Sequence, residues 1–503
     1  MKGRLRWMLL LVLGAFALVP CAQAKARPFP QVSDGSFAPA ETGVCKVTCK
    51  PTKPKTEIIF APPAGIETAE AIAFDFYAAD FSVYSAFELR VIAATNVRTV
   101  AASPSHEGSW NHIVISRAEI EAQRGPLPDG CAVDCVKFAV RRAVTDKADT
   151  FYIGNLKAIQ PANCPPLPGE RRIGWVTARA MNGDDDWEAT AAFMAKWGFT
   201  DMVALVARGA CAYYDSKILP RAVGLPAGRS AAQEAVAACH RHNLKCHLWK
   251  TSWQVRRDTP PAFLRQLEAE RRFQVSDAGR VDKGWLCPAD ERNRAVEIGV
   301  MKEFIALGAD AVHFDYNRYQ GATHCFCPRC LSAFSKSIGR TVASAEAIRA
   351  DAALAKAWAD FRAELISSVV REVAEYAHAQ TPRVEVSAAL YRNPPMDYVP
   401  HAQDWPRWCR EGWLDVACPM DYYWAPGVYA GFLKRQLAFV KGTRTQFCPG
   451  LGLTCNAWKA MPLANFKEEL SLVRRHGCAG FTVFHVGKAA AEIFPLVFGQ
   501  SGR

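Results

Sequence analysis

The chain has 503 residues, of which 50% are hydrophobic and 22% charged, a balance typical of globular proteins and not of disordered, collagen-like or coiled-coil chains. The formal net charge is +12, but basic and acidic residues are interspersed, and no RNA-binding or zinc-finger signature is present. A nucleic-acid partner is therefore not expected. The length predicts two or three domains, or one barrel of about 250 residues with an appendage.

The N-terminal residues predict export. Basic residues precede an apolar run at 7–19, and residues 22–24 read Ala-Gln-Ala, the small-residue pattern that signal peptidase accepts. We expect a signal peptide at 1–24, cleaved after Ala24, and a secreted or periplasmic protein with no transmembrane segment after cleavage. Lipidation at Cys21 is the alternative. With 18 cysteines in the chain, export also predicts several disulfides.

The segment 25–160 predicts a small antiparallel β-sandwich. Short β-rich runs, several alternating apolar and polar residues, recur at regular intervals between turn residues. The runs are 56–60, 71–76, 87–91, 110–115, 136–140 and 151–154. The domain is either a carbohydrate-binding-module-like domain or a structural appendage. A proline-rich linker is expected at 161–170.

The segment 171–495 predicts an α/β fold, a (β/α)8 TIM barrel. Strand-like runs alternate with amphipathic helical stretches, as in a parallel barrel. The runs are 172–177, 202–207, 245–250, 311–315, 384–388, 414–420, 445–449 and 480–485. The glycine-rich dinucleotide and nucleotide motifs are missing, and no cofactor is predicted.

In such barrels the chemistry lies at the C-terminal ends of the strands. Aromatic residues concentrate there, and aromatic rings stack on sugar faces, which indicates a cleft for a polysaccharide or oligosaccharide. The candidate binding residues at these ends are Trp175, Trp249, Tyr316, Tyr391, Tyr422, Trp424 and His485.

Two aspartates are the predicted catalytic pair. Asp315 ends the fourth strand beside Arg318, whose charge favours the ionised carboxylate. Asp421 follows the sixth strand, and glycosidic cleavage needs one carboxyl to protonate the leaving oxygen and another to attack or to activate water. Glu385 lies too near the start of its strand to reach the C-terminal end of the barrel. The run 184–186 is expected to cap a helix, with substrate binding as the alternative.

Several stretches resemble the glycosyl-hydrolase-like barrel family numbered ten, most specifically His-Phe-Asp-Tyr-Asn-Arg-Tyr at 313–319. The other matching stretches are 207–220, 238–249 and 285–289. The resemblance implies a glycosidase-type barrel with Asp315 as the expected nucleophile. It also nominates binding residues, namely Arg208, Tyr214, Lys217, His247 and Arg318. Two positions, Asp215 and Gln320, depart from the family pattern, which usually has proline at both. Both are expected in loops, so the departures affect the choice of substrate more than the fold.

The segment His324-Cys-Phe-Cys-Pro-Arg-Cys330 leaves three readings open. Its spacing suits a zinc site with ligands from His324, Cys325, Cys327 and Cys330, although export favours disulfides, and free thiols are the third reading. Cys45 with Cys49 and Cys131 with Cys135 are further candidate pairs.

Three functions follow from these patterns. The first is an exported glycoside hydrolase, and the second is a non-catalytic glycan-binding barrel of the cell envelope. The third is a metal-dependent deacetylase or amidase, which rests on the cysteine–histidine segment. The motifs of zinc proteases and of α/β-hydrolases are missing.

Overall fold

A computed structural model describes residues 31–499 apart from short gaps at 34, 42–43, 67–68, 103, 105–107, 109, 122–123, 126–131, 143, 145–147, 160–163, 178–185, 423–425, 455–460 and 462. The predicted signal peptide, part of the predicted linker and Trp424 therefore lie outside the described residues. None of the described helices has the length and apolar character that crossing a bilayer requires.

The N-terminal part forms the predicted β-sandwich. Its two antiparallel sheets have five strands each, in the orders β1-β4-β9-β6-β7 and β2-β3-β10-β5-β8. One short helix, α1 (Arg117–Glu121), follows β8. The strands are β1 (Gln31–Ser33), β2 (Gly35–Glu41), β3 (Val44–Cys49), β4 (Lys55–Phe60), β5 (Ala71–Ala78), β6 (Tyr84–Ala93), β7 (Asn96–Ala101), β8 (Asn111–Ser116), β9 (Cys135–Arg142) and β10 (Thr150–Ile159).

Aromatic side chains from both sheets fill the space between them. Phe138 of β9 lies in one sheet, and its ring centroid is 5.2 Å from Phe74 and 5.5 Å from Phe76, both of β5 in the other sheet. Phe76 also packs on Phe151 of β10 at 5.4 Å. Each of these rings is at most 1% exposed. The period-two alternation in the sequence thus marks the inner face of each sheet.

The C-terminal part forms the predicted barrel. The parallel strands are β11 (Arg171–Val176), β12 (Asp201–Arg208), β14 (Lys245–Thr251), β17 (Ala311–Asp315), β18 (Glu385–Leu390), β19 (Val416–Pro419), β20 (Gln446–Phe447), β21 (Gly450–Gly452) and β22 (Gly480–Phe484). β20 and β21 are two halves of the seventh strand: β20 pairs with β19, and β21 pairs with β22. β22 pairs with β11, so the ring closes through the split strand.

Helices occupy the connections between the strands. α2 begins after Asp186, whose carboxylate accepts a hydrogen bond from the Ala189 amide, so the predicted capping role is confirmed for that residue. The helices are α2 (Trp187–Lys196), α3 (Ala231–Arg241), α4 (Pro261–Ala269), α5 (Glu291–Ala306), α6 (Pro328–Ser337), α7 (Ala345–Ala350), α8 (Ala352–His378), α9 (Pro394–His401), α10 (Trp405–Arg410), α11 (Pro426–Val440), α12 (Leu463–Arg475) and α13 (Lys488–Phe498). The short strands β13 (Cys211–Ala212), β15 (Phe273–Val275) and β16 (Val281–Leu286) complete the set.

The barrel interior is a packed core and not a pore. Alternate residues of the strands point inward, among them Ile173 and Trp175 of β11 and Val203 and Leu205 of β12. The residues between them face the helices, which explains why nearly every strand residue is buried. Which way a strand-end side chain points therefore decides whether it belongs to the interior or to the helix layer.

Candidate active site

Asp315 is the last residue of β17 and lies at the C-terminal end of the barrel. Its side chain is 6% exposed. The Tyr316 amide donates a hydrogen bond to Oδ1 at 2.7 Å, and the Trp249 indole donates to Oδ2 at 3.2 Å. Burial raises the pKa of Asp315 to about 6, with Arg318 and the two hydrogen bonds opposing the rise. Arg318 acts in the predicted direction, but burial outweighs it, so the net shift is opposite to the prediction.

An aromatic frame surrounds Arg318 beside this carboxyl. The guanidinium carbon lies 4.6 Å from the ring centroid of Tyr316, 4.8 Å from that of Tyr391 and 5.2 Å from that of Trp285. These distances are within the range of cation–π attraction. Tyr391 also stacks on His401, with ring centroids 4.2 Å apart. Tyr316, Arg318 and Tyr391 are each half-buried and present surface next to Asp315.

The chain turns sharply at Tyr316 to build this frame. Tyr316 has φ of +53°, a left-handed conformation that costs a non-glycine residue about 1–2 kcal/mol. The Arg318 amide donates to the Tyr316 carbonyl at 2.7 Å and closes the turn. Such conformations persist where the surrounding contacts hold them, which is common at functional sites.

Trp175 and Tyr422 lie in the barrel interior below the frame. Trp175 is 1% exposed, and its indole donates to Nε2 of the buried His313 at 3.0 Å. Tyr422 packs against Trp175 and stacks on Phe484, with centroid distances of 6.0 and 5.1 Å. Trp175 therefore fills the core, and half-buried Tyr422 is the member of this pair that reaches towards solvent.

His247 lies away from the C-terminal end. It is the third residue of β14 and fully buried, and its ring contacts Asp201 Oδ1 at 3.0 Å and Ser387 Oγ at 2.8 Å. Asp201 also binds Arg171, which in turn contacts Glu385 Oε2 at 2.6 Å. Asp201 and Glu385 are the first residues of their strands, so this buried network holds the N-terminal end of the barrel. In TIM barrels that end serves stability.

Arg208, Tyr214 and Lys217 contact protein in the segment after β12. Arg208 Nη1 lies 3.7 Å from Asp258 Oδ2. The Tyr214 hydroxyl donates to Glu303 Oε2 at 2.7 Å and the Lys217 amide to Glu303 Oε1 at 2.6 Å, so this α5 residue holds the segment on the helix layer. None of the described contacts brings these three residues to Asp315.

Asp421 faces the helices and not the barrel mouth. Its neighbours Met420 and Tyr422 pack against the interior cluster, and side chains of an extended chain alternate, so Asp421 points the other way. It is fully buried, and Gln436 of α11 donates to its Oδ1 at 2.8 Å. Its Oδ2 has no hydrogen-bond partner among the described residues. The structure thus corrects the prediction that Asp421 shares a cleft with Asp315.

The surroundings of Asp421 disfavour its ionised form. Burial raises its pKa to about 7, while Gln436 and the charges of Arg392 and Arg435 oppose the rise. Glu469 of α12 is also fully buried, and burial together with Asp421 raises the pKa of Glu469 well above its ordinary value. Two buried carboxyl groups close together are protonated more readily than either would be in water.

Two predicted residues remain, of which one lies at the barrel end and the other outside the described residues. His485 directly follows β22 and is half-buried, with its ring centroid 5.5 Å from that of Phe484. Trp424 lies outside the described residues. The frame residues Trp285 and His401 were not assigned a role from the sequence. Trp285 falls in one of the matching stretches, whereas nothing in the sequence singles out His401.

The described cysteines form no disulfide with one another. Cys45 and Cys49 lie four residues apart on one extended strand, β3, which separates them by about 13 Å. A disulfide needs Cα atoms closer than about 7 Å, so that predicted pair is wrong. Cys131 lies outside the described residues.

The cysteines of the 324–330 segment are joined by one from elsewhere. Cys287, which directly follows β16, lies with Cys325, Cys327 and Cys330, and the four sulfur atoms are all within 4.8 Å of one another. All four residues are buried. His324 is not a member of this group, because its ring contacts Thr323 Oγ1 at 3.1 Å instead.

No protein-family model matches the chain, and no curated protein matches it. Among the solved structures that align with it is an α-galactosidase from Thermus thermophilus, with 10% identity over 93% of this chain and 92% of that chain and a TM-score of 0.36. An agarase aligns with 10% identity over 91% and 90% of the two chains and a TM-score of 0.35. A GH18 chitinase from Pseudoalteromonas aurantia aligns with 12% identity over 65% and 100% and a TM-score of 0.35. Such values carry no argument about activity, and the resemblance to family ten stays a prediction.

Proposed function

We propose that the chain is an exported glycoside hydrolase-like enzyme of the family-ten type, which cleaves glycosidic bonds of an oligosaccharide or polysaccharide. Its Asp315 would act as the proton-transferring carboxyl and not as the nucleophile that the resemblance implies. The observation that carries the proposal is the position and pKa of Asp315. It stands at the C-terminal end of a barrel strand, where barrel enzymes place their chemistry, and its pKa of about 6 allows both protonation states near neutral pH.

Protonated Asp315 would donate its proton to the glycosidic oxygen as the bond to the anomeric carbon breaks. The Trp249 indole and the Tyr316 amide then stabilise the carboxylate that remains, because both are hydrogen-bond donors to its two oxygens. Water would then add its oxygen to the anomeric carbon and give one proton back to Asp315, which restores the acid as the sugar is released. A pKa near the working pH is what a group needs to act as an acid in one step and a base in the next.

The frame around Arg318 supports sugar binding. Half-buried Tyr316 and Tyr391 offer aromatic surface next to Asp315, and the guanidinium between the rings has further donors for hydroxyl or acidic groups of a glycan. The donors are held in place by three rings, which reduces the ordering cost when a ligand binds.

The test is Asp315→Asn, assayed by release of reducing sugar from a panel of bacterial and plant polysaccharides. We expect turnover to fall by about 100-fold or more, the usual contribution of a general acid, with substrate affinity retained. Asp421→Asn is the matched control and is expected to stay active. Undiminished turnover of Asp315→Asn on a responsive glycan would disprove the assignment.

A second candidate function is glycan binding without turnover in the cell envelope. Both stereochemical routes of glycoside cleavage use a second carboxyl. In the described part of the chain, no carboxylate contacts Asp315, and Asp421 faces the helix layer. Binding on a glycan array with no hydrolysis of any bound glycan would favour this candidate.

We further propose that the N-terminal sandwich binds carbohydrate. Trp110 is 46% exposed, and its ring lies beside those of Tyr77 and Tyr152, at centroid distances of 5.6 and 6.2 Å. Tyr77 and Tyr152 pair across β5 and β10. One exposed and two half-buried rings together on a sheet suit stacking on sugar faces.

The cysteine group gives little support to the hypothesis of a metal-dependent deacetylase or amidase. Catalytic zinc sites use three protein ligands and keep a fourth position open for water. The cysteine group offers four buried thiols, a closed ligand set. Export through the predicted signal peptide remains part of the proposal.

A further inference from the structure

We propose that Cys287, Cys325, Cys327 and Cys330 bind one structural zinc ion. Their sulfur atoms surround a common centre: Cys287 Sγ lies 3.6 Å from Cys327 Sγ, 3.4 Å from Cys330 Sγ and 3.8 Å from Cys325 Sγ. A zinc ion with four Zn–S bonds of about 2.3 Å places its sulfur atoms about 3.8 Å apart at the corners of a tetrahedron. Disulfides would instead bring the sulfur atoms into pairs at about 2.05 Å.

Backbone amides are directed at two of these sulfur atoms. The Val275 amide donates to Cys325 Sγ at 3.2 Å, and the Cys330 amide donates to Cys327 Sγ at 3.4 Å. Cys327 is the N-cap of α6, so the start of that helix and its partial positive charge also face the group. Such donors stabilise thiolates, the form of cysteine that binds metal.

A buried cation lies near the cysteine group. Arg362 of α8 is 1% exposed, and thiolate forms of Cys325 and Cys330 would attract its charge. Its guanidinium lies 4.2 Å from the ring centroid of Tyr319 and donates to backbone carbonyls, but in the described part of the chain no carboxylate pairs with it. A buried charge is costly unless an opposite charge compensates it.

Zinc supplies that compensation. When four thiols bind Zn²⁺, four S–H bonds release their protons to solvent and four Zn–S bonds form, which leaves the group with a net charge of about −2. With two disulfides or four neutral thiols, the described part of the chain would offer Arg362 no compensating negative charge. The charge of the surroundings thus favours the metal over both other readings.

The ion would fasten together two segments that flank the candidate active site. Cys287 stands two residues after Trp285, and Cys325 lies in the connection that begins at Asp315. Trp285 and Tyr316 meet with ring centroids 5.9 Å apart. The zinc site therefore supports the frame around Arg318 without contacting substrate, because all four of its positions are taken by protein.

The test is the metal content of the purified full-length chain, measured by inductively coupled plasma mass spectrometry. We expect about one zinc per chain, less than about a tenth of that in Cys287→Ala, and an unchanged value in Cys409→Ala. Cys409 is the matched control, since it is 1% exposed and stands outside the group. Iron in place of zinc, two disulfides in the intact protein, or four thiols without metal would each overturn the proposal.

A second measurement covers the case in which Cys287→Ala does not fold. Wild-type protein is depleted of metal by chelation and loaded with Co²⁺. Intense thiolate-to-cobalt charge-transfer bands together with the ligand-field bands of a tetrahedral site are expected. The weak spectrum of octahedral cobalt would contradict a four-thiolate site.

Discussion

The replacement Asp421→Asn separates a structural role for this residue from a catalytic one. The folded protein holds the pKa of Asp421 at about 7, against an ordinary value of 3.8. The difference is about three pKa units, and at 1.36 kcal/mol per unit the folded state disfavours the ionised carboxylate by about 4 kcal/mol. The stability contribution of Asp421 is therefore present below pH 4 and is lost as the pH rises to about 7.

Asparagine cannot ionise. The free energy of unfolding of the variant therefore does not decrease between about pH 4 and pH 7, as that of the wild type does. The hydrogen bond from Gln436 is kept, since asparagine Oδ1 accepts as the carboxylate does. In the described part of the chain Oδ2 has no hydrogen-bond partner, so the new amide group is expected to have none either, which costs about 1–3 kcal/mol at every pH. We expect Asp421→Asn to be close to wild type or slightly less stable at pH 4.5 and more stable than wild type at pH 8, by about 1–3 kcal/mol.

The assay is urea unfolding of both proteins at several pH values, with glycan turnover measured in parallel. Asp215→Asn is the control, because the Asp215 side chain is 78% exposed and should not alter the pH dependence. An Asp421→Asn variant that keeps the pH slope of wild type and loses turnover as fully as Asp315→Asn would refute the reasoning.

Three further predictions follow from described contacts. Turnover should fall as the pH rises through about 6, where Asp315 loses its proton. Arg318→Met should move this fall in turnover to higher pH, because Arg318 lowers the pKa of Asp315. Glu297→Gln should destabilise the chain by about 3–5 kcal/mol in urea unfolding, since Lys250 Nζ binds Glu297 Oε2 at 2.5 Å with both side chains fully buried. Trp110→Ala should weaken glycan binding in affinity electrophoresis while leaving turnover of a short soluble substrate unchanged; an unaltered affinity would contradict sugar binding by the sandwich.

The fold could be predicted because its signals are local. Alternation at period two marks Phe74 and Phe76 as inner residues of the sandwich, and apolar runs separated by helical stretches give the barrel strands. The split of the seventh strand into β20 and β21 was not predicted, since it depends on pairing with β19 and β22 at long range.

A site residue could be predicted only where its position along the strand is enough to place it at the barrel end. Asp315 ends β17, and its place at the barrel end follows from the strand alone. For Asp421 the same argument fails, because one residue of register turns a side chain from the interior to the helices. Cys287 could not be joined to its group from sequence, since 38 residues separate it from Cys325. Lys250 likewise shows the effect of register, since it follows the inward-facing Trp249 and binds Glu297 of α5 on the outer face of its strand.

The connection after β17 joins the candidate active site to the proposed zinc site. Its first residues, Tyr316 to Arg318, adjoin Asp315 in the candidate active site, and it leads to Cys325, Cys327 and Cys330 of the cysteine group. Tyr316 has a left-handed backbone, a conformation that persists only where surrounding contacts hold it. The Tyr316–Arg318 hydrogen bond holds one end, and a zinc-bound Cys325 would hold the other. Loss of the metal is thus expected to lower glycan affinity through the frame before it alters the proton transfer by Asp315.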